Sequence, residues 1–227
     1  MHILIIIVLL FALIAGPSMW VKMIMQRYSK PAQRYSFSGG EAARRLLDGL
    51  GLSQVTVEVT DQGDHYDPIE KAVRLSAPHH DGRSLTAVTI AAHEVGHAMQ
   101  DARGYAPLKM RTQLVRWVAP VEKAGAALLM ATPFIIAIVR VPAAGLLMVL
   151  GGLLSLGAGA AVHFLTLPTE YDASFARALP LLKQENVLIE GDEPHARKLL
   201  KAAALTYVSV ALMSLLNIAR WWAILRR

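Results

Sequence analysis

Four apolar runs set the bounds on what this chain can fold into. The first extends from Ile3 to about Ile24 and carries no charge before Lys22. The second covers about Ala124 to Val139, with the apolar stretch Trp117 to Val121 leading into it. The third is Val141 to Leu165, and the fourth is Ala202 to Leu225. A bilayer crossing takes ~20 mainly apolar residues. One such run would be an ordinary core helix of a soluble protein. Four in 227 residues, of which 54% are hydrophobic and only 18% charged, predict an α-helical integral membrane protein with four transmembrane helices.

Local residues refine each run. Gly16-Pro17 kinks the first run without preventing insertion, and Lys22, Arg27 and Lys30 follow it rather than precede it. That order favours a retained anchor over a cleaved signal peptide. Glu122 and Lys123 belong near an interface, with Lys123 snorkelling. Arg140 and Pro142 mark a short turn, so runs two and three form a hairpin, and Gly151, Gly152, Gly157 and Gly159 permit close helix contact. Asn217, Arg220, Trp221 and Trp222 sit near the end of the fourth run, with Arg226 and Arg227 closing the chain.

Four crossings place both termini on one side and segments 25–117 and 166–201 on the other. The second side carries Lys22, Arg27, Lys30, Lys109, Arg111, Arg116, Lys198 and Lys201 near its membrane ends, against Arg140, Arg220, Arg226 and Arg227 opposite. This bias predicts that side to be cytoplasmic. The net charge of +6 is spread beside apolar runs and accompanies no nucleic-acid module, so nucleic acid is not an expected partner and the lipid bilayer is. The absence of cysteine excludes disulfides and thiolate ligands.

The polar segments have a mixed α and β pattern. Ser38-Gly39-Gly40-Glu41 has capping-box spacing, and a helix follows from Glu41 to Leu50. Val55, Val57 and Val59 alternate with polar residues as a strand. Residues 61–64 read as a turn, Lys71 to Ser76 as a second strand, and Pro78 to Gly82 as a loop. Arg74-Leu75-Ser76 is expected to be an edge strand lining a cleft, open to an extended peptide. A long helix is expected from about Ser84 to Ala102, packing inward through Ala87, Ile90, Ala91, Val95 and Ala98. Another starts near Pro107 and leads toward the second run.

That long helix contains His93-Glu94-Val95-Gly96-His97. Two histidines four apart share one helix face and reach one metal ion, which suits zinc. Glu94 is placed to act as general base on a water activated by zinc. A third protein ligand is needed, and Glu170 is the leading candidate, in Leu167-Pro168-Thr169-Glu170-Tyr171-Asp172-Ala173-Ser174 just beyond the third run. His163, late in that run, is the rival. Asp172 is either a support for a ligand imidazole or a surface group. Tyr66 and His65, in His65-Tyr66-Asp67-Pro68, are candidate donors to the oxyanion, with Asp67 fixing the loop. His79 and His80 read as loop residues.

These stretches together resemble the YugP-type neutral zinc metallopeptidases, a family of bacterial membrane proteins. The resemblance rests on Asp64 to Pro68, Val73 to Ser76, Ala91 to Gln100, Leu167 to Ser174 and the order of the four apolar runs. It implies a small α+β zincin-like metallopeptidase domain, with His93, His97 and Glu170 binding one zinc ion and Glu94 as the catalytic carboxylate. Distant membrane zinc peptidases carry an Asp four residues after the ligand Glu. Here that position is Ser174, which opens the question of what supports the histidine.

The expected organisation is an anchor at 1–24, the zincin-like domain at 25–117, crossings at 118–141 and 142–166, the third-ligand segment at 167–201, and a fourth crossing with its basic end at 202–227. The expected activity is endopeptidase, on a peptide or membrane-protein substrate, with room for a regulatory membrane partner. A non-catalytic scaffold or adaptor stabilised by zinc is the alternative.

Overall fold

The computed structural model describes residues 2–139, 141–209, 211 and 212. Asn217, Arg220, Trp221, Trp222 and the closing arginines lie outside the described residues, as does Arg140. The chain divides into two compact units. One holds Met19–Lys109 and Leu167–Thr206, and the other Met1–Ser18, Met110–Thr166 and Tyr207–Arg227. It is mostly helical, with one small sheet.

In the first of these units, α2 (Gly39–Gly49) begins at a complete capping box. The Ser38 hydroxyl accepts from the Glu41 amide at 3.2 Å, and the Glu41 carboxylate accepts from the Ser38 amide at 2.6 Å. Its apolar side, Ala42, Ala43, Leu46 and Leu47, is fully buried. The expected strands appear as β1 (Thr56–Thr60) and β3 (Ala72–Ser76), with the short β2 (His65–Asp67) between them in sequence. β2 forms where the sequence predicts a loop, because three residues are too few for a periodic signal. The Asp67 carboxylate accepts from the amides of Ile69 and Glu70, which closes the turn from β2 into β3.

The sheet order is β1-β3-β2, with β1 parallel and β2 antiparallel to β3. This overturns the expectation that Arg74-Leu75-Ser76 is an edge. β1 pairs along all of β3 and β2 covers its Ala72–Arg74 stretch, so β3 is the central strand and not the edge. Alternation shows why β3 is central: Val73 and Leu75 are fully buried, while Arg74 on the opposite face pairs with Glu58, Asp67 and Glu70. A residue tied to carboxylates on both neighbouring strands needs a strand on each side.

After the sheet comes α3 (Ala77–His80), where a loop was expected, and then α4 (Leu85–Ala102). The Ser84 hydroxyl caps α4 by accepting from the Ala87 amide at 3.2 Å. Gly104, at φ +65°, takes the left-handed turn that follows the helix. Ala87, Ile90, Ala91, Val95 and Ala98 all face the core, as the spacing predicts. The remaining helices here are α7 (Leu167–Tyr171), a π-helical segment (Asp172–Ala178), α8 (Leu179–Gln184) and α9 (Glu193–Ala204). Ala202 to Ala204, read from the sequence as the start of the fourth run, instead close α9 and are buried.

The other unit contains most of α5 (Ala106–Val139) and all of α6 (Pro142–Leu165). Among the described residues, two helical stretches are long and apolar enough to cross a membrane, within Ala106–Val139 and Ala143–Gln184. Phe134, Ile138, Leu147 and Leu154 are at least 70% exposed, the reverse of a water-soluble helix pair. Small residues bring α5 and α6 together. A Cβ on Gly152 would lie 3.1 Å from the Gly125 carbonyl oxygen, and Gly159 packs directly on the Glu122 carboxylate. Gly157 has nothing near it and does not share this role. The α1 helix (His2–Tyr28) carries the first apolar run.

Candidate metal centre

His93 and His97 lie one helical turn apart on α4 and are 4% and 3% exposed. Glu170, at the end of α7, is completely buried. Its Oε2 is 3.3 Å from His93 Nε2 and 3.2 Å from His97 Nε2. The three donor atoms lie within 4.8 Å of one another. Zinc–nitrogen and zinc–oxygen bonds of ~2.0–2.1 Å in a tetrahedron put donor pairs about 3.3 Å apart. Both histidine–glutamate separations match that edge.

The outer hydrogen bonds determine which ring nitrogens face this point. Ser174 Oγ is 3.0 Å from His93 Nδ1 and donates its single proton to the Leu200 carbonyl at 3.1 Å. It therefore accepts from His93 Nδ1–H. The Gln100 amide NH2 donates to the Thr169 carbonyl and to Asp172 Oδ2, each at 2.8 Å. Its oxygen, 2.9 Å from His97 Nδ1, accepts from that ring. Both histidines then carry their proton on Nδ1 and turn the Nε2 lone pair inward. Two nitrogen lone pairs and a carboxylate oxygen converge on one point, an arrangement that repels itself unless a cation lies between them. The residues present fit a zinc ion.

The approach of the two ligand-bearing segments depends on Gly96. A Cβ there would lie 2.5 Å from the Ala173 carbonyl oxygen. Glycine lets the π-helical backbone pass against α4 where Glu170 and Ser174 must reach the imidazoles. The π segment closes with the Leu179 amide bonded to the Ser174 carbonyl, five residues back. Such wide turns recur at functional sites.

Asp172 supports the ligands at one remove. Its Oδ2 accepts from Gln100 and, at 2.6 Å, from Arg177 Nε, and the Arg177 guanidinium lies over the Tyr105 ring at 5.2 Å. The sequence reading missed Gln100 and gave Ser174 no role. The available signal was position, since Gln100 is three residues after His97 and shares its helix face.

Glu94 follows His93 on α4 and is 6% exposed. His65 and Tyr66 are not members of the ligand cluster. The Tyr66 hydroxyl donates to Asp101 Oδ2 at 2.7 Å, and Lys71 bonds the same oxygen at 2.5 Å. Burial, then the hydrogen bond to Asp101, hold the Tyr66 phenol well above its ordinary pKa, so it stays protonated. His65 Nδ1 donates to the Gly63 carbonyl at 2.8 Å. His163 lies on α6 in the other unit, tilted against the Tyr207 ring at 5.7 Å, and it is Glu170 that groups with His93 and His97. His79, expected in a loop, is held 2.7 Å from the Asp64 carboxylate on α3.

A buried set of two histidines from a His-Glu-x-x-His helix and a glutamate from a separate segment has the composition of a hydrolytic zinc site. The family described as "Putative neutral zinc metallopeptidase" matches residues 2–226, and the chain belongs to that family. It is 36% identical over 219 residues to a protein of Bacillus subtilis (strain 168) named "Putative membrane protease YugP", covering 91% of this chain and 90% of the relative. No solved structure matches the chain.

Proposed function

We propose that this protein is a multi-pass membrane endopeptidase that hydrolyses peptide bonds with one zinc ion held by His93, His97 and Glu170. The observation that carries the reading is the convergence of both Nε2 atoms on Glu170 Oε2 at 3.2 and 3.3 Å. His93, His97 and Glu170 would hold the ion, which would supply Lewis acidity toward the scissile carbonyl and toward a water molecule. Glu94 takes the proton from the attacking water and returns it to the leaving amine. Gln100 and Ser174 hold the imidazoles in one tautomer, so no proton competes for the inward lone pairs.

Donors to the oxyanion come, in this proposal, from β2. Tyr66 suits the role better than His65, because its phenol is protonated at neutral pH. It would exchange Asp101 for the substrate oxygen during turnover. His65 donates already to Gly63, so its outer nitrogen donates only as the imidazolium.

The membrane reading is supported by the exposed apolar surface of α5 and α6 and by the name of the Bacillus relative. Four crossings are supported by the four apolar runs, a cytoplasmic metal centre by the distribution of Lys and Arg, and a bacterial inner membrane by the Bacillus relative. Substrates are then membrane proteins, their exposed segments or released peptides.

Purified full-length protein in detergent should contain one zinc by elemental analysis and cleave an unfolded protein substrate. Glu94→Gln should retain the zinc and lose about 10²–10⁴-fold in turnover, the range for removing a general base. Metal-free protein, or undiminished hydrolysis by Glu94→Gln, would overturn the reading. Zinc with no Glu94-dependent hydrolysis would favour a scaffold.

A further inference from the structure

The last turn of α1 and the loop after it gather basic side chains around a cavity remote in composition from the metal ligands. Arg27 and Tyr28 end α1, Lys30 and Arg34 follow, Leu85 opens α4, and Asp192 and His195 stand at the start of α9. They line an open-sided cavity of about 270 Å³, with Arg27, Lys30 and Arg34 at its exposed rim. At ~30 Å³ per water molecule, this space holds a phosphate group with part of its organic substituent.

Arg34 is fixed in place. Its Nε and Nη2 donate to the two oxygens of Asp192 at 2.7 and 2.6 Å, and Asp192 is 1% exposed. Asp192 also accepts from the Tyr35 hydroxyl at 2.7 Å, so its own capacity is committed. The Arg34 Nη1 amino group has no hydrogen-bond partner among the described residues. Arg27 and Lys30 have no carboxylate partner there either. Tyr28 and His195 bond to each other at 3.0 Å through the hydroxyl and Nδ1, which orients both rings at the cavity wall. The lining therefore sets three cations against one buried carboxylate, an imbalance that an anion would complete. The apolar run of α1 ends at Ile24, only three residues before Arg27. Basic pockets at that depth suit phospholipid headgroups.

We propose that this cavity binds a phosphate group, supplied by an anionic phospholipid headgroup or by a soluble phosphate. The lipid source rests on the membrane reading above and not on the peptidase reading. Binding a phosphate beside the exit of α1 would tie the first crossing to α9, whose other end carries Leu200, the acceptor for Ser174.

Native mass spectrometry of the full-length protein tests this, with phosphatidylglycerol, phosphatidylcholine or glycerol phosphate as probe. Phosphatidylglycerol should be retained over phosphatidylcholine. Arg27→Gln with Lys30→Gln should weaken retention roughly twenty-fivefold, taking each basic residue as about fivefold. Lys22→Gln, on the same helix but outside the cavity, should change little. Equal competition by glycerol phosphate would identify a soluble source with the same chemistry. Loss by Lys22→Gln as large as that of the double variant, or no preference for any phosphate probe, would overturn the inference. Zinc content, measured on the same samples, separates the two proposals. Phosphate binding without zinc defeats the peptidase alone, and zinc without phosphate binding defeats the cavity alone.

Discussion

The Ser174 hydroxyl accepts from His93 Nδ1 at 3.0 Å while donating to the Leu200 carbonyl at 3.1 Å. A neutral side chain thus does what an ionised carboxylate does in related site types, and it also links the metal centre to α9. Support of this kind is typically worth 10–100-fold in metal affinity. Ser174→Ala should weaken zinc binding by about that factor, measured by competition with a chromophoric chelator, while circular dichroism stays unchanged. Unaltered affinity would show that the hydroxyl does not orient the ring.

Gln100 offers a sharper test, because charge and hydrogen bonding separate there. Gln100→Glu keeps an acceptor for His97 but loses the donor to Thr169 and faces Asp172 as a like charge. It should destabilise the fold by about 1–3 kcal/mol, the cost of leaving buried polar groups mispaired. Combining it with Asp172→Asn should recover part of that loss in urea unfolding. Additive effects would exclude the coupling.

Gly96→Ala should be among the most damaging small substitutions. The added methyl meets the Ala173 carbonyl, a backbone atom with no rotamer to escape by. Overpacking of this kind costs about 1–3 kcal/mol. Zinc content should fall with stability, since the displaced segment carries Glu170. Zinc retained at full occupancy would contradict the close approach.

Tyr66→Phe separates catalysis from bracing. As an oxyanion donor, Tyr66 should give a fall in kcat with KM and zinc content unchanged, of up to about 10²-fold. A lower melting temperature with kcat intact would confine the hydroxyl to its bond with Asp101.

Acid should weaken the fold through Asp192 and Asp64. Burial alone would raise both carboxyls, but Arg34 and Tyr35 around Asp192, and His79 and Ser76 around Asp64, outweigh it and hold them low. A depressed carboxyl contributes stability above its ordinary pKa of ~3.9 and loses it as pH falls through the folded value. Unfolding midpoints should be insensitive to these two groups near neutrality and drop below about pH 4. Asp192→Asn should flatten that acid limb, and an unchanged pH profile would remove Asp192 as a contributor.

Much of this was legible in the sequence because it is local. The Ser38–Glu41 capping box, the Ser84 start of α4 and its buried face all follow from spacings within one or two turns. Glu170 was legible by another route, through residue type and its place after an apolar hairpin. The centrality of β3 was not, because strand order depends on which distant carboxylates meet Arg74. Nor was the role of Ser174, since a serine reports nothing about its acceptor until Leu200 is brought beside it. The π-helical geometry has no periodic signature in seven residues.

The separation of the ligands along the chain has a consequence for biosynthesis. His97 and Glu170 are 73 residues apart, and everything between them includes α5 and α6. At ~5–20 residues per second, a ribosome takes roughly 4–15 s to pass from one to the other. Throughout that interval the nascent chain carries both imidazoles of the cluster but not yet Glu170. The candidate metal centre can therefore be completed only after the apolar hairpin has been made, and the order of translation itself delays its three-residue donor set until α5 and α6 exist.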